Sequence, residues 1–339
     1  MSEISNELVS ILLPVYNGEK YLSLSIESCL SQTHKNIELI IVNDCSTDNT
    51  LSIANQYAQK DNRIKIISNF ENKKLPASLN IGHNEANGDF ITWTSDDNFY
   101  EPDALEKLLK SLLENEVDIV YSNIFLIDNL GNRIREVRLL GVENLIFGNV
   151  IGSCFLYRRN VFQKNNGYNE TLFLIEDYDF WLRAILHSKY CKLDQFLYNY
   201  RKHEDSLTNQ IKTVSDKQII WKKNIEAMYL EFSRNFIDHD FEVFSELQSK
   251  ILSCQQIKFE WIIKNHSTIK KFQENISKNK NFQNKKATGK VFLNQIIMLM
   301  VSDFVRKKSK FYCFFIFKNY YPFLDKNSIK TLIKYSCFK

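Results

Sequence analysis

Apolar residues in the first half of the chain alternate between short continuous runs and longer stretches with helical spacing. The runs predict four β-strands, at residues 8–13, 37–42, 64–67 and 90–94. The stretches between them predict three helices, at residues 19–32, 50–59 and 75–85. A βαβ succession of this kind indicates an α/β fold with a mainly parallel sheet and helices on both faces.

Turn-forming residues are concentrated in the first half. Eight of the nine glycines and three of the four prolines precede Tyr168. Beyond Leu207, helical spacing predicts three further helices, at residues 214–235, 240–265 and 291–307. We therefore predict two domains, an α/β catalytic domain at residues 1–210 and a mostly α-helical, basic and aromatic region at residues 211–339.

Composition narrows the class of protein. A hydrophobic fraction of 44% with 25% charged residues is typical of a globular chain. The seven cysteines show no CxxC spacing, and the first residues lack the basic and apolar pattern of a signal peptide, so we expect reduced thiols and a cytoplasmic location. No apolar run approaches the roughly 20 residues of a membrane-spanning helix.

The net charge of +4 conceals a strong asymmetry. From Lys270 onward, sixteen Lys or Arg face three Asp or Glu, a balance of +13 that leaves −9 for the first 269 residues. Basic residues also alternate with aromatic ones in this region: Arg306, Lys307, Lys308 and Lys310 precede the run at 311–318, and Tyr320, Tyr321 and Phe323 follow it. This pattern suits peripheral contact with the anionic inner face of a membrane, or packing on the catalytic domain or on a second copy in a homo-oligomer. No nucleic-acid-binding motif is present, so we expect no nucleic-acid partner.

Candidate chemistry follows the strands, because ligands of open α/β sheets bind at the carboxyl ends of the strands. Tyr16, Asn17 and Gly18 follow the first strand, and Asp96 and Asp97 follow the fourth. Adjacent carboxylates repel each other unless a cation or hydrogen bonds compensate, so a divalent ion that bridges phosphate oxygens is one interpretation. The other is a helix cap, in which Asp97 or Asn98 precedes a helix that begins near Asp103.

Two further acidic elements allow two interpretations each. Asp44 ends the second strand and can accept hydrogen bonds from a base or a ribose, or it belongs to a polar turn in which Asp48 caps the next helix. Glu176, Asp177 and Asp179 open an apolar helix, where acidic residues favour the helix dipole. Asp177 can instead serve as a general base that deprotonates an acceptor hydroxyl.

Taken in order, these elements resemble glycosyltransferase family 2, which has the GT-A fold. The similarity covers residues 8–205 and is carried by 9–17, 40–48, 80–82, 86–89, 94–98 and the pair Glu176-Asp177. The resemblance implies a nucleotide pocket lined by Pro14, Tyr16, Asn17 and Glu19, with Asp44 on the base, often uracil. It implies that Asp96 contacts ribose and, with Asp97, a diphosphate-bound Mn²⁺ or Mg²⁺. It also implies that Asp177 is the base of an inverting reaction and that His203 assists the metal or diphosphate, although a surface histidine without such a role is the alternative.

Three departures from the family pattern qualify the resemblance. Thr94 stands where many members carry the first Asp of the Asp-x-Asp element, and Asn43 and Cys45 replace the commoner Asp and Gly. The Gln-x-x-Arg-Trp motif of processive synthases is absent, so we expect transfer of a single sugar.

The expected function is therefore metal-dependent transfer from a UDP-sugar to a hydroxyl of a glycan or lipid-linked acceptor, in bacterial surface polysaccharide biosynthesis. The alternatives are a nucleotidyltransferase and a non-catalytic sugar-nucleotide-binding scaffold. The first alternative lacks its usual glycine-rich basic loop, since the first strand is followed only by Asn17-Gly18-Glu19-Lys20. A non-catalytic scaffold would be favoured by loss of these acidic residues, and all of them are retained.

Overall fold

A computed structural model describes residues 6–304 and 310–336. Its strands are β1 Val9–Val15, β2 Ile37–Asn43, β3 Ile64–Ser68, β4 Phe90–Trp93, β5 Phe99–Tyr100, β6 Ile119–Ile127, β7 Arg133–Val137, β8 Phe155–Arg158 and β9 Tyr190–Arg201. The helices up to residue 213 are α1 Leu22–Leu30, α2 Thr50–Ala58, α3 Leu75–Glu85, α4 Ala104–Glu114, α5 Arg159–Lys164, α6 Glu176–Ala184 and α7 Leu207–Thr213. The later helices are α8 Ser215–Arg234, α9 Phe241–Leu252, α10 Phe259–Lys264, α11 His266–Ile276, α12 Lys285–Phe304, α13 Lys310–Tyr320 and α14 Lys326–Ser336. Short 3₁₀ turns lie at Val142–Ile146, Lys280–Phe282 and Tyr321–Phe323.

The strands form one mixed sheet in the order β3-β2-β1-β4-β8-β6-β9-β5, with β7 paired to β6. Strands β1 to β4 are parallel to one another, as predicted. Strand β8 runs antiparallel to both of its neighbours, β4 and β6, and β9 is parallel to β6. The α/β fold class and the helical C-terminal region are confirmed, with a sheet that is parallel in its first half and mixed in its second.

The centre of the sheet explains why the first strand is a continuous apolar run. All seven residues of β1 are buried, because helices cover both faces. The one polar residue among them, Ser10, donates its hydroxyl to Glu38 at 2.6 Å and accepts the Gly88 amide at 2.9 Å. On α1, Leu22, Ile26 and Cys29 are fully buried in the same core. Burial of each large aliphatic side chain stabilises the fold by roughly 1.5–3 kcal/mol.

The helical region differs from the prediction at several places, and helices α11, α13 and α14 lie outside all three predicted segments. The predicted helix at 240–265 is two helices, α9 and α10, and Cys254, which lies between them, has φ +54°, a value that a right-handed helix cannot contain. Helix α12 begins at Lys285, six residues before the predicted start at 291, because Asn284 accepts the Ala287 amide and caps it. Its predicted last residues, 305–307, lie outside the described residues.

The chain divides into two compact units. The first contains the residues up to Val142 together with Asn149–Asn224, and the second contains Glu143–Gly148 and the residues from Ile225 onward. The core of the second unit is aromatic: the Phe244 ring stacks on Phe272 with centroids 3.5 Å apart, and Phe292 packs on both. The assignment of catalysis to residues 1–210 and of other contacts to 211–339 stays a prediction.

Across residues 6–304 and 310–336, no helix is both long enough and apolar enough to traverse a bilayer.

Candidate active site

A cavity of about 560 Å³ lies in the first unit, at the carboxyl ends of β1, β2 and β4. It gathers eight of the nine predicted site residues, namely Pro14, Tyr16, Asn17, Asp44, Asp96, Asp97, Asp177 and His203. These residues come from parts of the chain up to 189 positions apart (Pro14 to His203). The fold therefore brings the residues of the three acidic elements to one place.

One wall of the cavity is built from two loops that are tied together through Asn17. Its side-chain oxygen accepts the Thr47 amide at 2.8 Å, and its own amide donates to the Ser46 hydroxyl at 3.0 Å. Asn17 has φ +54°, a left-handed conformation that asparagine adopts more readily than most residues. The neighbouring Tyr16 is 52% exposed, so its ring presents a free face on which a planar base can stack.

Glu19, the ninth predicted residue, is not among the residues that line the cavity. Its carboxylate accepts the backbone and side-chain amides of Asn49 at 2.9 and 2.7 Å. Asp48 accepts the Thr50 amide at 3.0 Å and so satisfies the first N–H of α2, but the N-cap position predicted for Asp48 is occupied by Asn49. In this structure Glu19 fastens the first loop to the start of α2, and its contact with a nucleotide stays a prediction.

Asp44 is buried and holds the loop after β3 in place. One carboxylate oxygen accepts the Asn69 side-chain amide and the Lys73 amide, both at 2.8 Å, and the other accepts the Lys74 amide at 2.9 Å. A carboxylate oxygen can accept two hydrogen bonds, so the second oxygen retains capacity for a ligand. Asp44 thus shapes the loop and remains able to receive a donor group of a base.

Lys74 has an unusual backbone. Its φ and ψ are +71° and +164°, a combination that is essentially confined to glycine. The side chain lines the cavity together with Lys217 of α8. Burial, followed by the positive charge of Lys74, lowers the pKa of Lys217. The cavity therefore contains two neighbouring cations, one of which is carried on a strained residue.

Asp96 and Asp97 lie just after β4 and face the cavity rather than a helix end. The residue that precedes α4 is Asp103, so the interpretation of Asp97 or Asn98 as a helix cap is wrong. Burial and, secondarily, the charge of Asp97 raise the pKa of Asp96 to about 7. One oxygen of Asp97 lies 2.8 Å from Nε2 of His203, and the other is buried without a hydrogen-bond partner among the described residues.

These features fit a divalent cation. A buried carboxylate oxygen without a partner, beside a second carboxyl whose ionisation is opposed by burial and repulsion, is stabilised by a hard cation. Within the described part of the chain, no group of three or more His, Cys, Asp or Glu side chains is arranged to hold a metal.

Arg201 has no predicted role, and it positions Asp97. Arg201 is buried, and its Nε donates to the Asp97 carbonyl oxygen at 2.8 Å while its amide donates to the Asn98 side chain at 2.7 Å. Its guanidinium also covers the Tyr21 ring, 4.3 Å from the centroid. A lone arginine in an alternating strand ordinarily faces solvent, so the sequence carried no signal for this role.

Gly18 is a second residue whose role the sequence did not reveal. A Cβ at this position would lie 2.1 Å from a carboxylate oxygen of Asp96 and 2.7 Å from the Val15 side chain. The absence of a side chain therefore allows the loop after β1 to approach the Asp96 carboxylate. A glycine directly after the first strand was the available signal.

The acidic start of α6 separates into two roles. Asp177 accepts the Asn149 side-chain amide at 2.8 Å and the Tyr178 amide at 2.7 Å, and it lines the cavity. Asp179 instead forms an ion pair with Arg183 at 2.6 Å, which is a contact internal to the helix. Only the first two acids of the predicted trio, Glu176 and Asp177, face the cavity.

Glu176 is buried, and one of its carboxylate oxygens has no hydrogen-bond partner among the described residues. Burial and then the charge of Asp177 raise the pKa of Glu176 to about 8, and burial also raises the pKa of Asp177. The two carboxyl groups therefore titrate as a pair. Burial and the charge of Asp177 therefore both favour the protonated form of Glu176.

The departures at Thr94 and Cys45 have structural explanations. The Thr94 hydroxyl is buried and lies 2.7 Å from the Tyr198 hydroxyl, so a core contact occupies the place of the missing acid. Cys45 has φ +63°, which explains why glycine is the commoner residue at this position of the pattern.

Residues 10–166 match the model of the protein family described as Glycosyl transferase family 2. An uncharacterized glycosyltransferase of Haemophilus influenzae is 42% identical over 130 residues, which is 38% of this chain and 52% of that protein. The putative glycosyltransferase EpsE of Bacillus subtilis is 34% identical over 219 residues, 62% of this chain and 79% of that protein. The matched part spans about half of the Haemophilus influenzae protein and 39% of a Rickettsia conorii relative.

Solved structures share the fold. Staphylococcus aureus TarS 1-349, in complex with UDP-GlcNAc, aligns with a TM-score of 0.58 and 18% identity over 97% of this chain and 90% of that one. The mannosyltransferase PcManGT of Pyrobaculum calidifontis, in complex with GDP-Man and Mn²⁺, aligns with a TM-score of 0.51 and 11% identity over 86% of each chain. These likenesses confirm the GT-A fold. With the ordered acidic elements in one cavity, the match to the family model and the identity to EpsE, the chain belongs to glycosyltransferase family 2.

Proposed function

We propose that this protein transfers one sugar from a nucleotide diphosphate sugar, a UDP-sugar, to a hydroxyl of a glycan or lipid-linked acceptor, with inversion at the anomeric carbon. The observation that carries the proposal is the position of Asp177 in the same cavity as Asp96 and Asp97, held by a different network. One cavity then offers a base to the acceptor hydroxyl and acidic ligands to the metal-bound donor.

The donor site in this proposal is formed by the loops after β1 and β2. Tyr16 offers a ring face to the base, and Asp44 offers its remaining acceptor capacity to a base N–H. Lys74 and Lys217 place positive charge in the cavity, which favours an anionic diphosphate. The complexes of TarS with UDP-GlcNAc and of PcManGT with GDP-Man support a nucleotide sugar as the donor class.

Asp96 and Asp97 would hold Mn²⁺ or Mg²⁺ jointly with the diphosphate, with His203 as a neighbour. A bound divalent ion neutralises the negative charge that develops on a departing diphosphate. The Mn²⁺ in the PcManGT complex supports this assignment. Arg201 acts through the backbone of Asp97 and is a positioning residue.

On the acceptor side, an oxygen of Asp177 removes the proton of the acceptor hydroxyl. The hydroxyl oxygen forms a bond to the anomeric carbon while the bond from that carbon to the diphosphate oxygen breaks, and a single displacement inverts the configuration. Asn149 donates to Asp177 and orients the carboxylate. The protonated Glu176 next to it avoids a second negative charge in a buried site. We place the reaction in bacterial surface polysaccharide biosynthesis, with a lipid-linked acceptor, by family resemblance.

The first test is thermal stabilisation by a panel of nucleotide sugars with and without Mn²⁺, since a ligand that binds the folded state raises the melting temperature. We expect a Mn²⁺-dependent rise with a UDP-sugar. Asp97→Asn should lose that dependence. Asp177→Asn should keep the donor-induced rise and lose transfer to acceptor.

Three outcomes would contradict the proposal. Full transfer by Asp177→Asn removes this residue from the mechanism. Stabilisation by nucleoside triphosphates and not by nucleotide sugars indicates a nucleotidyltransferase. Binding of nucleotide sugars without any turnover, either transfer or hydrolysis, indicates a scaffold.

A further inference from the structure

Helix α13 is apolar on both sides, but only one side is covered. Tyr312, Cys313, Ile316 and Tyr320 are buried in the second unit. The Tyr312 ring packs against Phe259 with centroids 4.7 Å apart, and the Cys313 sulfur lies 3.7 Å from that of Met300. An all-round apolar helix is ordinarily buried on every side, so the opposite side requires an explanation.

The opposite side carries four exposed aromatic residues. Phe311, Phe314 and Phe317 are 58%, 62% and 48% exposed, and Tyr321, in the turn that follows, is 65% exposed. Their spacing of three, three and four residues places them along one side of the helix. The Phe317 and Tyr321 rings contact each other with centroids 5.5 Å apart. We call these four residues the aromatic face.

Lysines accompany the aromatic face. Lys310 and Lys318 are exposed on α13, and Lys326, Lys330 and Lys334 are exposed at four-residue intervals on α14. The same helix α14 exposes Ile329 and Ile333. The only acidic residue of the described segment 310–336 is Asp325, and it pairs with Lys290 at 2.6 Å. Within that segment, no carboxylate compensates the lysines of α13 and α14.

We propose that the aromatic face and these lysines dock this protein on the surface of an anionic lipid bilayer. Aromatic rings settle at the boundary between headgroups and acyl chains, and each lysine near an anionic surface contributes about 1 kcal/mol. The balance of +13 from Lys270 onward matches such a surface. The basic residues Arg306, Lys307 and Lys308 belong to that balance and lie outside the described residues.

The lysines near the aromatic face favour a bilayer, rather than a second copy of the chain, as the partner that covers this face. Lys310 and Lys318 lie four residues from Phe314 on α13, so a symmetric contact through the aromatic face would bring them close to the same lysines of the second copy, and like charges in contact oppose association. An anionic lipid surface presents the opposite sign to every lysine. The bilayer is therefore the occupant that both the aromatic and the basic residues fit.

The test is co-sedimentation of the full chain with vesicles of phosphatidylcholine and phosphatidylglycerol, compared with phosphatidylcholine alone. We expect binding only to the anionic vesicles and a decrease as salt is added. Lys318→Glu combined with Lys330→Glu should weaken vesicle binding by about 25-fold or more. Loss of each lysine costs about 1 kcal/mol, which is roughly a fivefold change in affinity, and the reversed charge adds repulsion. Phe314→Ser combined with Phe317→Ser should weaken it by about tenfold or more.

Matched controls use exposed residues of the first unit. Phe70→Ser removes a fully exposed phenylalanine, and Lys35→Glu with Lys60→Glu reverses two exposed lysines. The controls should bind the vesicles as the wild type does, and every variant should melt at the wild-type temperature because all the changed side chains are exposed.

Equal binding to neutral and anionic vesicles, no binding to either, or equal loss in the controls would overturn the proposal. A dimer seen by light scattering that Phe314→Ser and Phe317→Ser dissociate, without vesicle binding, would assign the aromatic face to a second copy instead.

Discussion

The strained backbone of Lys74 leads to a prediction with opposite effects on stability and on donor binding. Lys74 occupies a conformation that is essentially confined to glycine, and its amide is fixed there by a hydrogen bond to Asp44 at 2.9 Å. Replacement by glycine releases the strain and removes the amine from the cavity. We therefore expect Lys74→Gly to be more stable than the wild type and to bind a nucleotide sugar less tightly.

The size of the stability change follows from two opposing terms. A residue held in such a conformation costs about 1–3 kcal/mol, and glycine costs about 0.5–1 kcal/mol through the greater freedom of the unfolded chain. The net gain in the free energy of unfolding is then about 1 kcal/mol, which raises the melting temperature by about 2–4 °C for a unit of this size. Loss of a charged contact to the diphosphate should weaken donor binding by about tenfold.

The assays are thermal unfolding without ligand and titration with the UDP-sugar found in the panel. Two variants separate the causes. Lys73→Gly changes the adjacent residue, whose amide also donates to Asp44 but whose φ is not positive, so we expect a lower melting temperature. Lys74→Ala removes the amine without relieving the strain, so it should bind the donor weakly and gain no stability.

Two results would refute this reasoning. If Lys74→Gly melts below the wild type, as Lys73→Gly is expected to, the backbone at this position is not strained. If Lys74→Gly and Lys74→Ala bind the nucleotide sugar as tightly as the wild type, the amine has no part in recognition of the donor.

Two further predictions concern the acidic residues of the cavity. Gly18→Ala places a methyl group 2.1 Å from the Asp96 carboxylate. In melting experiments it should reduce the free energy of unfolding by about 1–3 kcal/mol and abolish the Mn²⁺-dependent stabilisation. The control Gly148→Ala, whose methyl group would meet nothing within 4 Å, should have neither effect. Glu176→Gln tests the pKa of Glu176, which is raised from the ordinary 4.5 to about 8. Because the folded state favours the protonated acid, the wild type loses stability as the pH rises from 4.5 towards 8. The variant does not titrate there, so its melting temperature should rise increasingly above that of the wild type over this range. A constant difference between pH 5 and 8 would contradict the assignment of a proton to Glu176.

The parallel half of the sheet could be predicted because β1, β2 and β4 are almost entirely buried and form continuous apolar runs. The strands at 37–42 and 64–67 end within one residue of β2 and β3, and the predicted helix at 75–85 coincides with α3. Strands β5 to β9 received no prediction. Polar residues in β7 and β9 interrupt any continuous apolar run, and β5 and β8 are only two and four residues long. Periodicity therefore described the βαβ half of the sheet, although β6 and β8 in the other half are also largely buried.

The site was predictable where its residues follow strand ends and not where contacts join distant parts of the chain. Asp96, Asp97 and Asp44 were found from their positions after apolar runs. The ties from Arg201 to Asp97 and from His203 to Asp97 cross more than one hundred residues, and nothing local in the sequence encodes them. The unusual backbone of Lys74 was equally hidden, because a lysine gives no sign of a left-handed conformation.

The ion pair between Arg183 and Asp179 has a consequence for engineering. The same guanidinium donates to the carbonyl oxygens of Asn165 and Gly167, so the loop before α6 and the helix itself are joined by one side chain. If the helix alone is moved into another protein, its guanidinium loses the two carbonyl acceptors. If the loop alone is moved, its carbonyl oxygens lose their donor. An exchange of this loop or of α6 between family members should therefore move residues 165–183 as one segment.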